Sequence, residues 1–135
     1  MAGRYNDILR DNLNDLAFGQ ISWTPPTQVY ISLFITLPNE TTWIGTEPNG
    51  GNYARVQVSN NKTTWTSSSL GIINNNIKIE FNRASSTWGI MSGFGIHDAL
   101  TGGTLLAYGG FDSPRSINGG MQPLFPPNDM AVKLI

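Results

Sequence analysis

One histidine, His97, is where a search for chemistry starts in this cysteine-free chain. With Ser92 before it and Asp98 after it, His97 could formally belong to a Ser-His-Asp relay. In such a relay the imidazole takes a hydroxyl proton and a carboxylate holds the ring. Adjacent strand residues point to opposite faces, so His97 and Asp98 meet only if the following turn rotates them together. No nucleophile-elbow sequence surrounds a serine, and a structural histidine near a strand end is the better reading. Glycoside hydrolysis requires two carboxylates across a cleft. Glu40, Glu47, Glu80 and the aspartates are sparse candidates, and Glu80 lies on the polar face of a strand. Asp7, Asp11 and Asp15 recur every four residues along one helix face. Carboxylates in line do not converge on one ion, so they read as an acidic stripe facing solvent or a partner. The runs Asn49-Gly50-Gly51 and Thr101-Gly102-Gly103 lack the lysine and the strand-to-helix setting of a phosphate loop, and are turns. No catalytic residue, metal site or cofactor is expected, and the chain does not read as an enzyme.

Aromatic residues offer a second kind of chemistry. Trp23, Trp43, Trp65 and Trp88, with Tyr30, Tyr53 and Tyr108, could present apolar ring faces to sugar rings. Packing in the core and at hinges weighs more heavily, and strand context places Trp88 inside. Trp43 and Trp65, near loops, stay open as contact residues.

The elements that must position these side chains are mostly strands. From Trp88 to Phe111 two apolar strands flank a turn over Asp98–Thr104. Simple alternation puts Trp88, Ile90, Ser92, Phe94 and Ile96 on one face, and Gly89, Met91, Gly93, Gly95 and His97 on the other. A stripe of glycine in a strand implies close approach of a backbone or a large ring. Gln28–Leu37 alternates as a core strand, Val29, Ile31, Leu33, Ile35 and Leu37 facing one way. Ala54, Val56 and Val58 face inward from Tyr53–Ser59. Asn60-Asn61 and Asn74-Asn75-Asn76 are turns. Ile77–Phe81 is a half-exposed strand, Asp112–Gly120 a polar loop and Met130–Ile135 a closing strand. The loop from Pro38 to Gly51 is long enough to be functional or to lie in an interface.

Residues 5–18 alone read as a helix, with Tyr5, Ile8, Leu9, Leu13 and Leu16 as its apolar stripe and Gly19 as its stop. So short a helix is marginal in water by itself, and its stripe must dock on its own sheet or on a neighbouring subunit. Pro25-Pro26 forms an elbow between an N-terminal helical arm (1–23) and a β-sandwich domain (24–135). Turn signals every eight to twelve residues give the body an all-β, antiparallel, jelly-roll-like sandwich.

Composition limits the partners. The 135 residues suit one domain. Only 13% are charged, with a net charge of −1, against about 25% charged in typical domains. A surface of this kind suits packing into an assembly. The eight basic residues are scattered, which argues against nucleic acid. The first residues do not resemble a signal peptide, and no apolar run approaches the roughly 20 residues of a membrane span. Neither nucleic acid nor membrane is an expected partner.

The ordered motifs Thr24-Pro25-Pro26-Thr27, Val29–Phe34, Gly50–Val56, Asn60–Trp65, Trp88–Ala99 and Thr101–Leu106 resemble a family of small tailed-bacteriophage virion proteins. These are head decoration (cement), minor tail or tail fibre proteins with a β-sandwich body and a short helical arm. The resemblance runs from the helix to about residue 111 and loosens after that, where Pro123–Pro127 departs from it. It implies a virion component assembled in the host cytoplasm. The leading expectation is a homotrimeric cement protein on the capsid surface, binding the major capsid protein and stabilising the mature head by mass action. Its interface would comprise Tyr5, Ile8, Leu9, Leu13, Leu16, Trp23, Pro25, Pro26 and Trp43. Deleting residues 1–18 should then abolish particle binding and leave the sandwich folded. The alternative is a tail or fibre-associated protein recognising a host surface glycan through Trp43, Trp65 or Tyr53.

Overall fold

Asn6 decides where the helix begins. Its backbone is extended (φ −76°, ψ 169°), and its side-chain oxygen accepts the Leu9 N–H at 2.9 Å. That is an N-cap, which satisfies a donor the first turn leaves free. The computed structural model, which describes residues 3–39 and 41–133, accordingly places a strand β1 (Gly3–Tyr5) before the cap and helix α1 (Asp7–Ala17) after it. Tyr5, expected on the helix, therefore belongs to a strand and pairs with Ala107.

Eight further strands follow: β2 (Gln28–Phe34), β3 (Val56–Ser59), β4 (Ile72–Asn74), β5 (Ile79–Glu80), β6 (Gly89–His97), β7 (Leu105–Ile117), β8 (Leu124–Phe125) and β9 (Ala131–Lys133). Seven form one curled sheet in the order β3-β2-β6-β7-β1-β9-β4, and β5 pairs with β8 in a second layer. The pairing is antiparallel except between β1 and β9, which run parallel. The protein is all-β with a short N-terminal helix, as its turn spacing implies. The closing strand is seen over Ala131–Lys133; residues 134–135 of the expected Met130–Ile135 strand, like Glu40, lie outside the described residues.

β1 lies within the sheet, bonded to β7 on one side and β9 on the other. The Asn6 N–H also donates to Leu106 O at 2.7 Å. The expected arm of residues 1–23 thus starts among the hydrogen bonds of the body. Removing residues 1–18 would take out an internal strand, and the expectation that the sandwich survives this deletion does not fit the sheet order.

The core lies between the layers. Register aligns Val56, Ile31, Ile96, Ala107 and Tyr5 in one row across five strands, beside Leu33 and Phe94. From the second layer Ile79, Phe81 and Phe125 close over this face, with the Phe94 and Phe125 rings edge-on at 5.8 Å between centroids. The opposite face carries a smaller cluster of Phe34, Leu105 and Tyr108. The long loop folds back over it: Ile35 N–H donates to Thr46 O at 2.7 Å and Thr46 N–H to Thr36 O at 3.0 Å. Leu37 and Trp43 are thereby packed on the cluster.

This cover explains the glycine stripe. A Cβ on Gly95 would stand 2.5 Å from the Phe34 ring, and one on Gly93 would strike the carbonyl of Gly109. The expected alternation of β6 is nevertheless broken. Met91 pairs with Arg115, but Gly93 pairs with Gly110, so four residues of β7 (111–114) stand opposite one of β6. Such a bulge shifts the face on which side chains emerge. Met91 is consequently buried on the core side with Phe94, while Ile90 is 57% exposed.

Candidate functional site

The residues expected at an interface divide into three groups. Tyr5, Leu9, Leu13, Trp23, Pro25 and Pro26 line a shallow apolar groove of about 280 Å³ between α1 and the sheet. Only half of the helix stripe turns this way, since Ile8 and Leu16 stay exposed, joined by an exposed Phe18. Trp43 sits elsewhere, edge-on to Tyr108 with 5.5 Å between ring centroids. Its φ of 56° places a bulky residue in the left-handed region, a strained conformation held by the surrounding loop.

The aromatic side chains do not gather into a single sugar platform. Tyr53 is stacked on Phe81 and edge-on to Trp88. Its hydroxyl donates to Glu47 Oε1 at 2.7 Å and accepts the Leu33 N–H at 3.0 Å. Burial and the bond to Glu47 push its pKa up. Trp88 is buried, with Nε1 donating to Gly51 O at 2.7 Å. Trp65 Nε1 donates to Asn60 Oδ1 at 3.0 Å beside the groove.

The titratable groups form a network at one end of the sheet. Arg55 grips Glu47 with two bonds, Nε to Oε1 at 3.1 Å and one terminal nitrogen to Oε2 at 2.8 Å. Its other terminal nitrogen donates to the carbonyls of Ala99 and Gly102 at 2.8 and 3.0 Å. One guanidinium therefore ties the long loop to the β6–β7 turn. Burial would raise the Glu47 pKa, but the bonds from Arg55 and Tyr53 outweigh it and hold the carboxyl below its usual range. His97 is buried, with Nε2 2.7 Å from Ser32 Oγ. Burial and then the nearby Arg55 charge push it down to about 4, so at neutral pH the ring is uncharged. Ser92 instead donates to Ile35 O, and Asp98 accepts the Thr104 N–H. The conceivable relay partners of His97 are thus engaged elsewhere, and Ser32, its actual partner, is fully buried.

A further cleft lies where no site residue was expected. Bulged out of the ladder, residues 111–114 of β7 overhang a cleft of about 420 Å³ that faces β8. Its depth is apolar, with Phe125 at the base and Phe111 leaning against it at 6.0 Å between centroids. Asp112, Ser113, Arg115 and Asp129 stand exposed at the rim. The one signal in the sequence is Pro114, because proline inside a strand marks an edge or a bulge. A rim of this kind pairs hydrogen-bond acceptors and donors with an apolar base, the usual make-up of a small-molecule site.

A β-rich body with one short helix, its histidine and core aromatic residues committed to packing and its grooves open on the surface, accords with a structural protein of a tailed-phage virion. The family model for the podophage GP4 fiber I protein gp80 matches residues 4–133, and the chain belongs to this fibre family. A search of curated proteins gave no match.

Proposed function

We propose that the protein is a fibre component of the podophage tail that contacts a glycan on the host surface. Its place among virion structural proteins follows from the family; the tail position and the glycan are the proposal. The observation that carries it is a match to a fibre protein family along nearly the whole chain. That match favours the tail over the shell, the location expected from the low-charge surface and the helical arm. Binding requires no chemistry from the chain, in keeping with a histidine that is buried and uncharged at neutral pH.

Two measurements test this reading. Quantitative mass spectrometry of purified virions should find few copies relative to the major capsid protein, and labelled antibody should mark the tail. Purified protein added in excess should slow adsorption of phage to host cells. Near-stoichiometric copies on the head would return the protein to the shell, and unchanged adsorption would remove the glycan contact.

A further inference from the structure

Resting on the glycan reading above, we propose that the saccharide site is the cleft between the β7 bulge and β8, and that it takes neutral rather than anionic sugars. Three observations converge on this place. Four residues of β7 leave the ladder opposite a single residue of β6, and they do so at the cleft. Bulges of this kind are found beside binding sites because they re-aim side chains. Here the bulge carries Phe111, Asp112 and Ser113.

The second observation concerns partners. Asp112, Ser113, Arg115 and Asp129 make no side-chain hydrogen bond or ion pair with other described residues. Glu47 and Arg55, by contrast, are taken up by each other and by the carbonyls of Ala99 and Gly102. Donors and acceptors at the cleft are therefore available to a ligand. Carboxylates accept from adjacent ring hydroxyls, and a guanidinium donates to ring and hydroxyl oxygens in its fixed fork. Phe111, half-buried above the buried Phe125, offers apolar area to the face of a ring or to a deoxy-sugar methyl.

The third observation is size and charge. A cleft of about 420 Å³ falls within the roughly 300–1,000 Å³ of small-ligand sites, and a short oligosaccharide segment fits that range. Two carboxylates against one guanidinium leave the rim net negative, which repels a uronic or sialic acid carboxylate. Sugars without charge meet no such penalty.

The test is a titration of the isotope-labelled full chain followed by amide NMR. The probes are the methyl glycosides of glucose, galactose, mannose and rhamnose, with glucuronate as the anionic one. At least one neutral glycoside should shift the amides of residues 111–115 and 124–129, with glucuronate binding at least about fivefold more weakly. Asp112→Asn and Arg115→Ala, both changes at exposed side chains, should each weaken that binding about tenfold at an unchanged melting temperature. Tighter binding of glucuronate would overturn the neutral-sugar assignment. Shifts gathered around Trp43 or Trp65 would overturn the cleft and leave glycan contact standing, whereas no shift at any amide would overturn both.

Discussion

Asn75 shows how much one side chain can hold together. Fully buried, it donates to the carbonyls of Ile77 and Pro126 at 2.8 Å each and accepts the Met130 N–H at 2.8 Å. Inside the triplet Asn74-Asn75-Asn76 it reads as a turn residue, because two of its three partners, Pro126 and Met130, lie more than fifty positions away. Tyr53 was misleading for the same reason: aromatic character is plain in a sequence, but the Glu47 and Leu33 groups that claim its hydroxyl are not. His97 reads as a structural residue near a strand end, but nothing in the sequence points to its bond with Ser32. Its displaced pKa makes stability depend on pH. The unfolded chain takes up the proton near pH 6.5, the folded chain only near 4. Between these values the unfolded state binds more protons, so stability is full above pH 6.5 and falls as pH drops toward 4, by about 3 kcal/mol in all. Urea midpoints at pH 7 and pH 4.5 should record the loss, and His97→Gln should flatten it. Below pH 4.5 the lowered pKa of Glu47 adds a further decline in the same direction.

At the scale of the element, β6 was only half legible. The glycine stripe correctly announced a close approach, since composition at alternating positions is visible directly. The bulge was not, because an inserted register shift leaves the run of apolar and small residues looking regular. Gly93 supplies a clean test of the close approach. An added methyl would strike the Gly109 carbonyl and come within 2.5 Å of Leu37, and neither a neighbouring backbone nor a packed side chain yields easily. Gly93→Ala should cost about 3 kcal/mol in chemical denaturation. Gly110→Ala, which meets the Leu37 side chain at 3.3 Å and the Ser92 carbonyl at an ordinary 3.9 Å, should cost well under half as much. Equal losses at the two sites would mean that the sheet adjusts and that the stripe is not a packing requirement. Helix α1 was placed well by its apolar spacing, yet the spacing could not say that only Leu9 and Leu13 would turn inward.

For the molecule as a whole, the all-β body with one short helix followed from turn spacing and alternation. Strand order did not, because β1 is three residues long and shows no alternation to recognise. Its position inside the sheet sets a whole-molecule prediction: a chain starting at Asn6 should lose the sharp thermal transition of the full protein, with β9 and β4 no longer joined to β7 through it. A transition of unchanged sharpness and midpoint would show that β1 is dispensable.

The parallel β1–β9 pair also bears on how the protein is made. Gly3 aligns with Val132, so a strand made early among the described residues must wait for one made late. Both edges of β1 stay open until β7 is made, and one until β9 is, a template for pairing with other chains. Contacts so distant in sequence also form slowly. Overproduction at high rate should therefore drive nascent chains into one another, and slower synthesis at low temperature should favour the soluble product.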